Sequence, residues 1–235
     1  MQPATTRQLS ELEQFLESAG GAFEVRVETS VQVGSASHPV YSLAIGNSSP
    51  DVPAIGYFGG VHGLERIGSE VVLAYMRSIQ TRLRWDELLH RMLERVRLVF
   101  MPIVNPGGMM LGTRANPSGV DLMRNAPIDA SESVPFLVGG QRQSNRLPWY
   151  RGPAGAPMEA EASALCAVVE RELLIRPFSI ALDCHSGFGL RDRIWFPFAC
   201  SSRPVEHLPE ILALVELYGE SHAHHRYLFE PQSRQ

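Results

Sequence analysis

A strand–helix–strand alternation near the middle of the chain is the feature that most constrains its fold. An apolar run at 54–58 has the character of a buried strand, and Gly59 and Gly60 end it. Helical spacing follows, and a second strong strand covers 96–101. Two strands joined through a helix usually lie parallel in one sheet. The pattern predicts an α/β fold in which a mixed, largely parallel twisted sheet is flanked by helices.

The remaining periodicities predict a single α/β domain over residues 1–235, without an internal repeat. Ser10 and Glu13 form a capping-box pattern that predicts the start of the first helix. Between 102 and 157 the periodicity vanishes, and a loop this long is usually functional or disordered. We predict further helices at 10–19, 85–93, 158–174 and 204–222, and further strands at 23–27, 40–45, 178–185, 194–198 and 226–230. The apolar side of the helix after the first central strand is assigned to Val71, Val72, Tyr75, Met76 and Ile79.

Composition excludes several classes of function. The net charge of −4 shows no excess of basic residues, which argues against a nucleic-acid partner. Three cysteines without Cys-x-x-Cys spacing argue against a disulfide framework and favour a reducing compartment. The N-terminus lacks the apolar core of a signal peptide, and no apolar run approaches the roughly 18 residues of a membrane helix. We therefore expect a soluble, cytoplasmic protein without a membrane partner.

His62 and Glu65 lie three residues apart in the turn between the first central strand and its helix. Side chains at the carboxyl ends of strands in an α/β sheet reach solvent, and zinc accepts both imidazole and carboxylate ligands. The alternative is a surface pair at a helix start, where a glutamate is favoured by the helix dipole. A second His-x-x-Glu occurs at His207 and Glu210, but it lies in a polar, proline-broken stretch without a preceding strand. Motifs need their structural context, so we do not assign a site there.

His185 repeats the arrangement of His62, because it too ends an apolar strand. Strand side chains alternate, so Asp183 and His185 share a face while Cys184 points to the core. Two histidines, one carboxylate and an open fourth position form a hydrolytic zinc site, in which the metal acidifies a water molecule. The alternative for His185 is a strand-end histidine with a structural hydrogen bond.

The long loop carries polar residues that suit such a site. Asp121 can hold a ligating imidazole by its second ring nitrogen. Arg114 and Arg124 bring guanidinium groups, which donate two parallel hydrogen bonds to a substrate carboxylate. The alternative for both arginines is a solvated loop charge.

Four motifs together resemble the zinc carboxypeptidases of the M14 (carboxypeptidase A-like) family in order and spacing. They are His62-Gly63-Leu64-Glu65, Asn105-Pro106-Gly107-Gly108, Gly119-Val120-Asp121-Leu122-Met123-Arg124-Asn125 and Asp183-Cys184-His185-Ser186. The resemblance covers about residues 50–200. The ordered set is far more specific than any one of its motifs.

The resemblance implies a mixed eight-stranded sheet flanked by helices, with one zinc ion as the cofactor. The implied ligands are His62, Glu65 and His185. Asp121 matches the aspartate behind the first histidine ligand. Arg124 matches the arginine that binds the terminal carboxylate of the substrate, and Arg114 matches the arginine that polarises the scissile carbonyl.

Three departures from the family pattern matter. Met123 replaces the asparagine of the family's Asn-Arg pair, and Gly107 replaces the aspartate of Asn-Pro-Asp-Gly, which affects loop structure. The family's general-base glutamate lies on a late strand, beyond the last residue of this sequence. Glu220 and Glu230 come too early to match it. We therefore expect a fold that is incomplete at its C-terminus and a slow turnover of carboxypeptidase substrates.

These observations favour a zinc metallopeptidase of carboxypeptidase type, in which metal-activated water hydrolyses an amide bond next to a free carboxylate. Its substrate is a peptide or an acyl-amino acid. One alternative is a deacylase of N-acyl amino acids, like desuccinylases and aspartoacylases, which Met123 leaves open. A second is a protein that binds metal without catalysis, because the general base is missing. A third is an α/β binding domain without metal.

Overall fold

The structure is a computed structural model, and it describes residues 6–133, 139–186, 191–225 and 227–232. Its described residues group into two compact units. The first unit comprises Met1–Ala126 and Gly140–Ser186, and the second unit comprises Pro127–Gly139 and Gly187–Gln235. The single-domain organisation stays a prediction. Residues 134–138 of the predicted loop and Arg226 of the last predicted strand lie outside the described residues.

A five-stranded mixed sheet forms the centre of the first unit, in the order β1-β2-β4-β3-β5. The strands β1 and β2 pair antiparallel, as do β2 and β4, whereas β3 runs parallel to both β4 and β5. Helices flank this sheet, which confirms the predicted fold class. The strands are β1 (Glu24–Val33), β2 (Ala36–Gly46), β3 (Ala54–Gly59), β4 (Arg97–Met101) and β5 (Ser179–Cys184).

The described residues of the first unit form five helices: α1 (Arg7–Ser18), α2 (Arg66–Arg82), α3 (Glu87–Leu93), α4 (Pro106–Leu111) and α5 (Ala160–Val169). A π-helical turn, Glu170–Leu174, continues α5. The predicted start of α1 at Ser10 is wrong, because Leu9 is buried and its packing extends the helix by a turn that the capping box did not mark. The sequence did not predict α4, whose six residues are too few to show a helical period.

At the central strand β4, both faces of the sheet are buried. Along β4, Leu98 and Phe100 pack into one core cluster, whereas Val99 and Met101 pack into another on the opposite face. This is the expected burial of a strand in a parallel sheet covered by helices on both sides. In α2 the buried side carries Val72, Leu73, Met76 and Ile79. The assignment of Val71 to that side is wrong, since its side chain is 54% exposed.

In the second unit, the residues that the structure describes form a two-stranded parallel sheet and one helix. Its elements are β6 (Arg193–Phe196), α6 (Leu208–Ser221) and β7 (Leu228–Pro231). The helix α6 lies within its predicted segment, whereas β6 begins one residue before the predicted strand 194–198 and β7 ends one residue after the predicted strand 226–230. Arg193 forms an ion pair with Glu230 across the two strands. Within the described part of the chain, no helix is long and apolar enough to cross a membrane.

The turn after β3 is fixed by close packing against the start of α4. The side chain of Asn105 accepts a hydrogen bond from the Gly108 amide at 2.7 Å and donates one to the carbonyl oxygen of Val61 at 3.2 Å. A Cβ atom on Gly63 would lie 2.0 Å from the carbonyl carbon of Gly108, so only glycine fits at position 63. The Asn-Pro-Gly-Gly segment therefore serves to hold the His62–Glu65 turn.

We predict that Gly63→Ala lowers the free energy of unfolding by about 3 kcal/mol, because its methyl group must push two backbone segments apart. Urea denaturation followed by circular dichroism measures the change. Gly112→Ala is the matched control in the same unit: a Cβ there meets no atom within 4 Å, and only the positive φ of 65° opposes it. That control should cost about 1 kcal/mol. Equal losses in the two variants would contradict the packing argument.

Candidate metal centre

Three side chains from the ends of neighbouring parallel strands meet in the first unit. His62 and Glu65 follow β3, and His185 follows β5. One potential ligand atom from each lies within 4.8 Å of the others. Among the residues that the structure describes, no other group of three His, Cys, Asp or Glu side chains meets this criterion.

The carboxylate of Glu65 is held from three directions. Its Oε1 lies 2.9 Å from Nδ1 of His62 and accepts a hydrogen bond from Nη1 of Arg114 at 3.2 Å. Its Oε2 accepts a hydrogen bond from the backbone amide of Ser186 at 2.9 Å, which links the β3 turn to the end of β5. Burial raises the pKa of Glu65, but the hydrogen bonds from His62 and Ser186 outweigh burial and bring this pKa below its usual value. Glu65 is therefore ionised and available as a ligand at neutral pH.

The imidazole of His62 is completely enclosed and lies between two carboxylates. Its Nε2 is 3.1 Å from Oδ1 of Asp121, on the side opposite Glu65. Burial lowers the pKa of His62, but the hydrogen bonds with Asp121 and Glu65 outweigh it and raise this pKa above its ordinary value. The carboxylate of Asp121 at Nε2 fixes the orientation of the ring, and Nδ1 is directed towards Glu65. A carboxylate that holds the second ring nitrogen is the usual arrangement behind a ligating histidine.

His185 has one ring nitrogen paired and one unpaired. Its Nδ1 is 2.9 Å from Oδ2 of Asp183, whereas its buried Nε2 has no hydrogen-bond partner within the described ranges. The rings of His185 and His62 meet edge to face, with centroids 4.7 Å apart. A buried polar atom without a partner is costly unless a ligand satisfies it. Two imidazoles, one of which has this unpaired nitrogen, and one carboxylate are a donor set that zinc prefers, so the residues fit a zinc ion.

Asp121 joins the histidine to two arginines. Its Oδ2 accepts hydrogen bonds from Nε of Arg114 and from Nη1 of Arg124, each at 3.0 Å. Burial raises the pKa of Asp121, but His62 and both guanidinium groups outweigh it, so the carboxyl has a pKa well below its usual range. Burial lowers the pKa of Arg124, and the charge of Asp121 partly offsets that effect. The fixed negative charge of Asp121 thus gathers the cationic groups on one side of the centre.

A tight turn positions Asp121. The side-chain oxygen of Asn116 accepts hydrogen bonds from the backbone amides of Ser118 and Val120, and the amide of Asp121 donates to the carbonyl oxygen of Tyr150 at 2.8 Å. The Asn-Pro-Ser-Gly sequence at 116–119 is a turn signal. That signal marks the turn, but only the structure reveals that it orients the aspartate.

All six residues that the sequence predicted for the site lie in one connected network: His62, Glu65, Arg114, Asp121, Arg124 and His185. Their roles stay predictions. Cys184 packs against the hydrophobic core, as its strand position predicts. The second His-x-x-Glu, at His207 and Glu210, is an exposed pair 4.0 Å apart. Sequence reasoning missed the Ser186 amide, because a backbone donor carries no signal in the residue type.

Comparison with known proteins gives the family of the chain. The sequence model of the zinc carboxypeptidases, peptidase family M14, matches residues 14–233. The chain therefore belongs to the zinc carboxypeptidase family, a family of hydrolases to which its fold also conforms.

Individual relatives are distant. Carboxypeptidase D of Anas platyrhynchos is 24% identical, over 78% of this chain and 12% of that protein. Carboxypeptidase SOL1 of Arabidopsis thaliana is 34% identical, over 38% of this chain and 19% of that protein. The matched segments thus span less than a fifth of the length of either relative. Bovine thrombin-activatable fibrinolysis inhibitor, solved with tick carboxypeptidase inhibitor, has a TM-score of 0.71 at 20% identity, over 96% of this chain and 76% of that one, and shows the same fold.

We predict that Asp121→Asn lowers the free energy of unfolding of the chelator-treated protein by about 2 kcal/mol at pH 7, because it leaves buried cationic groups without a counter-charge. The folded pKa of Asp121 is depressed, so its stabilisation is present above the unfolded pKa near 4 and is lost as the pH falls further. The difference between wild type and variant should therefore shrink below about pH 4. Urea denaturation at several pH values measures it.

The exposed Asp51, which bonds to Ser49, supplies the control. Asp51→Asn should change stability by less than about 0.5 kcal/mol at every pH. A loss at Asp121 that does not depend on pH would contradict the electrostatic explanation.

Proposed function

We propose that this protein is a zinc-dependent hydrolase of carboxypeptidase type, which cleaves an amide bond next to a free carboxylate. One observation carries the proposal: the buried His62 and Glu65 and the half-buried His185 converge in one cluster, beside two arginines held by Asp121. Membership of the zinc carboxypeptidase family supports it.

A bound zinc ion supplies Lewis acidity, which lowers the pKa of a water molecule and polarises a carbonyl group. The protein's own part is to hold the ligands in place. Asp121 fixes the ring of His62, and the Ser186 amide fixes the carboxylate of Glu65. These contacts reduce the reorganisation that metal binding requires.

The two arginines make different contacts with the cluster, and this difference supports different roles. Arg114 donates to Glu65 as well as to Asp121, so its charge lies next to the proposed ligands and suits a developing oxyanion. Arg124 donates to the same Oδ2 of Asp121, and its guanidinium group suits the terminal carboxylate of a substrate. A substrate would then lie with its scissile carbonyl towards Arg114 and its carboxylate towards Arg124.

A zinc measurement tests the centre. We expect the purified protein to contain about one zinc per chain by inductively coupled plasma mass spectrometry, and His62→Ala to lose it. His207→Ala, which removes the histidine of the second His-x-x-Glu, should keep it. Wild-type protein that binds no zinc when the metal is supplied would refute the proposal.

Steady-state kinetics test the arginines. With an N-acylated dipeptide as substrate, we expect Arg124→Gln to raise KM about 30-fold, because a charge-assisted hydrogen bond to the carboxylate is lost. Arg114→Gln should instead lower kcat about 100-fold, as the loss of an oxyanion donor does. Arg84→Gln, at an exposed position, is the control and should change neither.

Substrate choice separates the remaining candidates. Hydrolysis of the dipeptide but not of its C-terminal amide supports the carboxypeptidase, whereas hydrolysis of simple N-acyl amino acids alone indicates a deacylase. Bound zinc without hydrolysis of either class indicates a metal-binding protein that is not an enzyme. The expected slow turnover stays a prediction until this assay is done.

A further inference from the structure

The loop from 141 to 150 lies beside the Asp121–Arg124 segment and is closed by one buried side chain. The amide group of Gln141 makes five hydrogen bonds to the loop backbone, with the carbonyl oxygens of Ser144, Leu147 and Pro148 and the amides of Gln143 and Ser144. The backbone amide of Gln141 also donates to the carbonyl oxygen of Trp149 at 3.0 Å. So many bonds to one side chain give the loop a defined shape.

Trp149, near the end of this loop, has a strained backbone. Its φ of +60° is the only positive value for a non-glycine residue in the part of the chain that the structure describes. A residue with a Cβ atom is disfavoured in this conformation, and a bulky one especially so. Such strain persists where the surroundings impose it, and it concentrates at ligand-binding sites. A tryptophan here, where glycine is the easier choice, points to a use for its side chain.

The indole ring of Trp149 lies against Arg124. The guanidinium carbon of Arg124 is 5.7 Å from the centre of the ring, within the range of a cation–π contact. Asp121 holds the same guanidinium through Nη1 at 3.0 Å. The guanidinium is therefore restrained at one nitrogen by a carboxylate and covered by an aromatic ring.

We infer that Trp149 is a positioning residue for carboxylate recognition: it orients the guanidinium of Arg124 and shields it from water. This inference rests on the proposed function, in which Arg124 receives the terminal carboxylate. An oriented guanidinium loses less rotational freedom when it forms two parallel hydrogen bonds. An ion pair is also stronger where an apolar ring replaces water, because the local dielectric constant is lower.

Calorimetric titration with N-acetylphenylalanine and with its amide tests the inference, because these probes differ only in the carboxylate. We expect wild type to prefer the acid. Trp149→Ala and Trp149→Gly should weaken binding of the acid about tenfold, Trp149→Phe less, and none should change binding of the amide. Trp85→Ala, which removes an indole that is 70% exposed, should leave both affinities unchanged.

Urea denaturation of the same variants separates positioning from packing. Because glycine relieves the positive φ, Trp149→Gly should have a higher midpoint than Trp149→Ala and still bind the acid weakly. The inference is overturned if wild type binds acid and amide equally. It is also overturned if both variants bind the acid as wild type does, or if affinity follows the midpoint across the series.

The two proposals fail in different ways. Zinc content of each sample, measured alongside, should be the same in wild type and in every Trp149 variant. A protein without zinc that still discriminates acid from amide through Trp149 refutes the proposed function and keeps the inference. Suppose instead that the protein binds zinc and that its affinity for the acid does not depend on Trp149. This result refutes the inference and leaves the proposed function standing.

Discussion

The parallel pairing of β3 with β5 is the interaction on which the candidate centre depends. Phe58 lies opposite Asp183 and Gly59 lies opposite Cys184, so the two strands end at the same level. The residues that follow them therefore lie at the same edge of the sheet. His62 and His185 are far apart in sequence, and this register is what brings their rings together. A slip of one residue would turn the β5 side chains to the opposite face. The relative position of the two histidines thus depends on the backbone hydrogen bonds between β3 and β5.

Charge interactions around Asp121 hold the side chains that the sheet brings together. Asp121 is nearly inaccessible to solvent and contacts a histidine and two guanidinium groups at once. Such a charge is tolerable only with this number of partners, and the partners are in turn held by it. The cluster therefore behaves as one unit, and replacing any member alters the environment of the others. The stability of this cluster and the proposed recognition of a substrate therefore depend on the same few side chains.

Much of this arrangement could be read from the sequence, because the strands that end in His62 and His185 have strong apolar periodicity. The mixed fold, both histidines and the loop residues Asp121 and Arg124 followed from such patterns and from a family resemblance. The start of α1 and the existence of α4 did not, since tertiary burial at Leu9 and a six-residue helix leave no periodic signal. The strained Trp149 was equally hidden, because a positive φ on a large residue contradicts local preference. Contacts made by backbone atoms, such as the Ser186 amide, have no signature in residue type.

The position of β5 has a further consequence. Within the described residues β5 is an outer strand of the sheet, bonded to β3 on one side, and its residues Ala181, Leu182 and Asp183 are exposed. Outer strands open locally more easily than central ones, so the backbone that carries His185 should exchange its amide hydrogens sooner than the backbone before His62. A metal ion bound by both histidines would then cross-link the ends of β3 and β5. By linkage, metal binding at the centre and the local order of β5 would rise together.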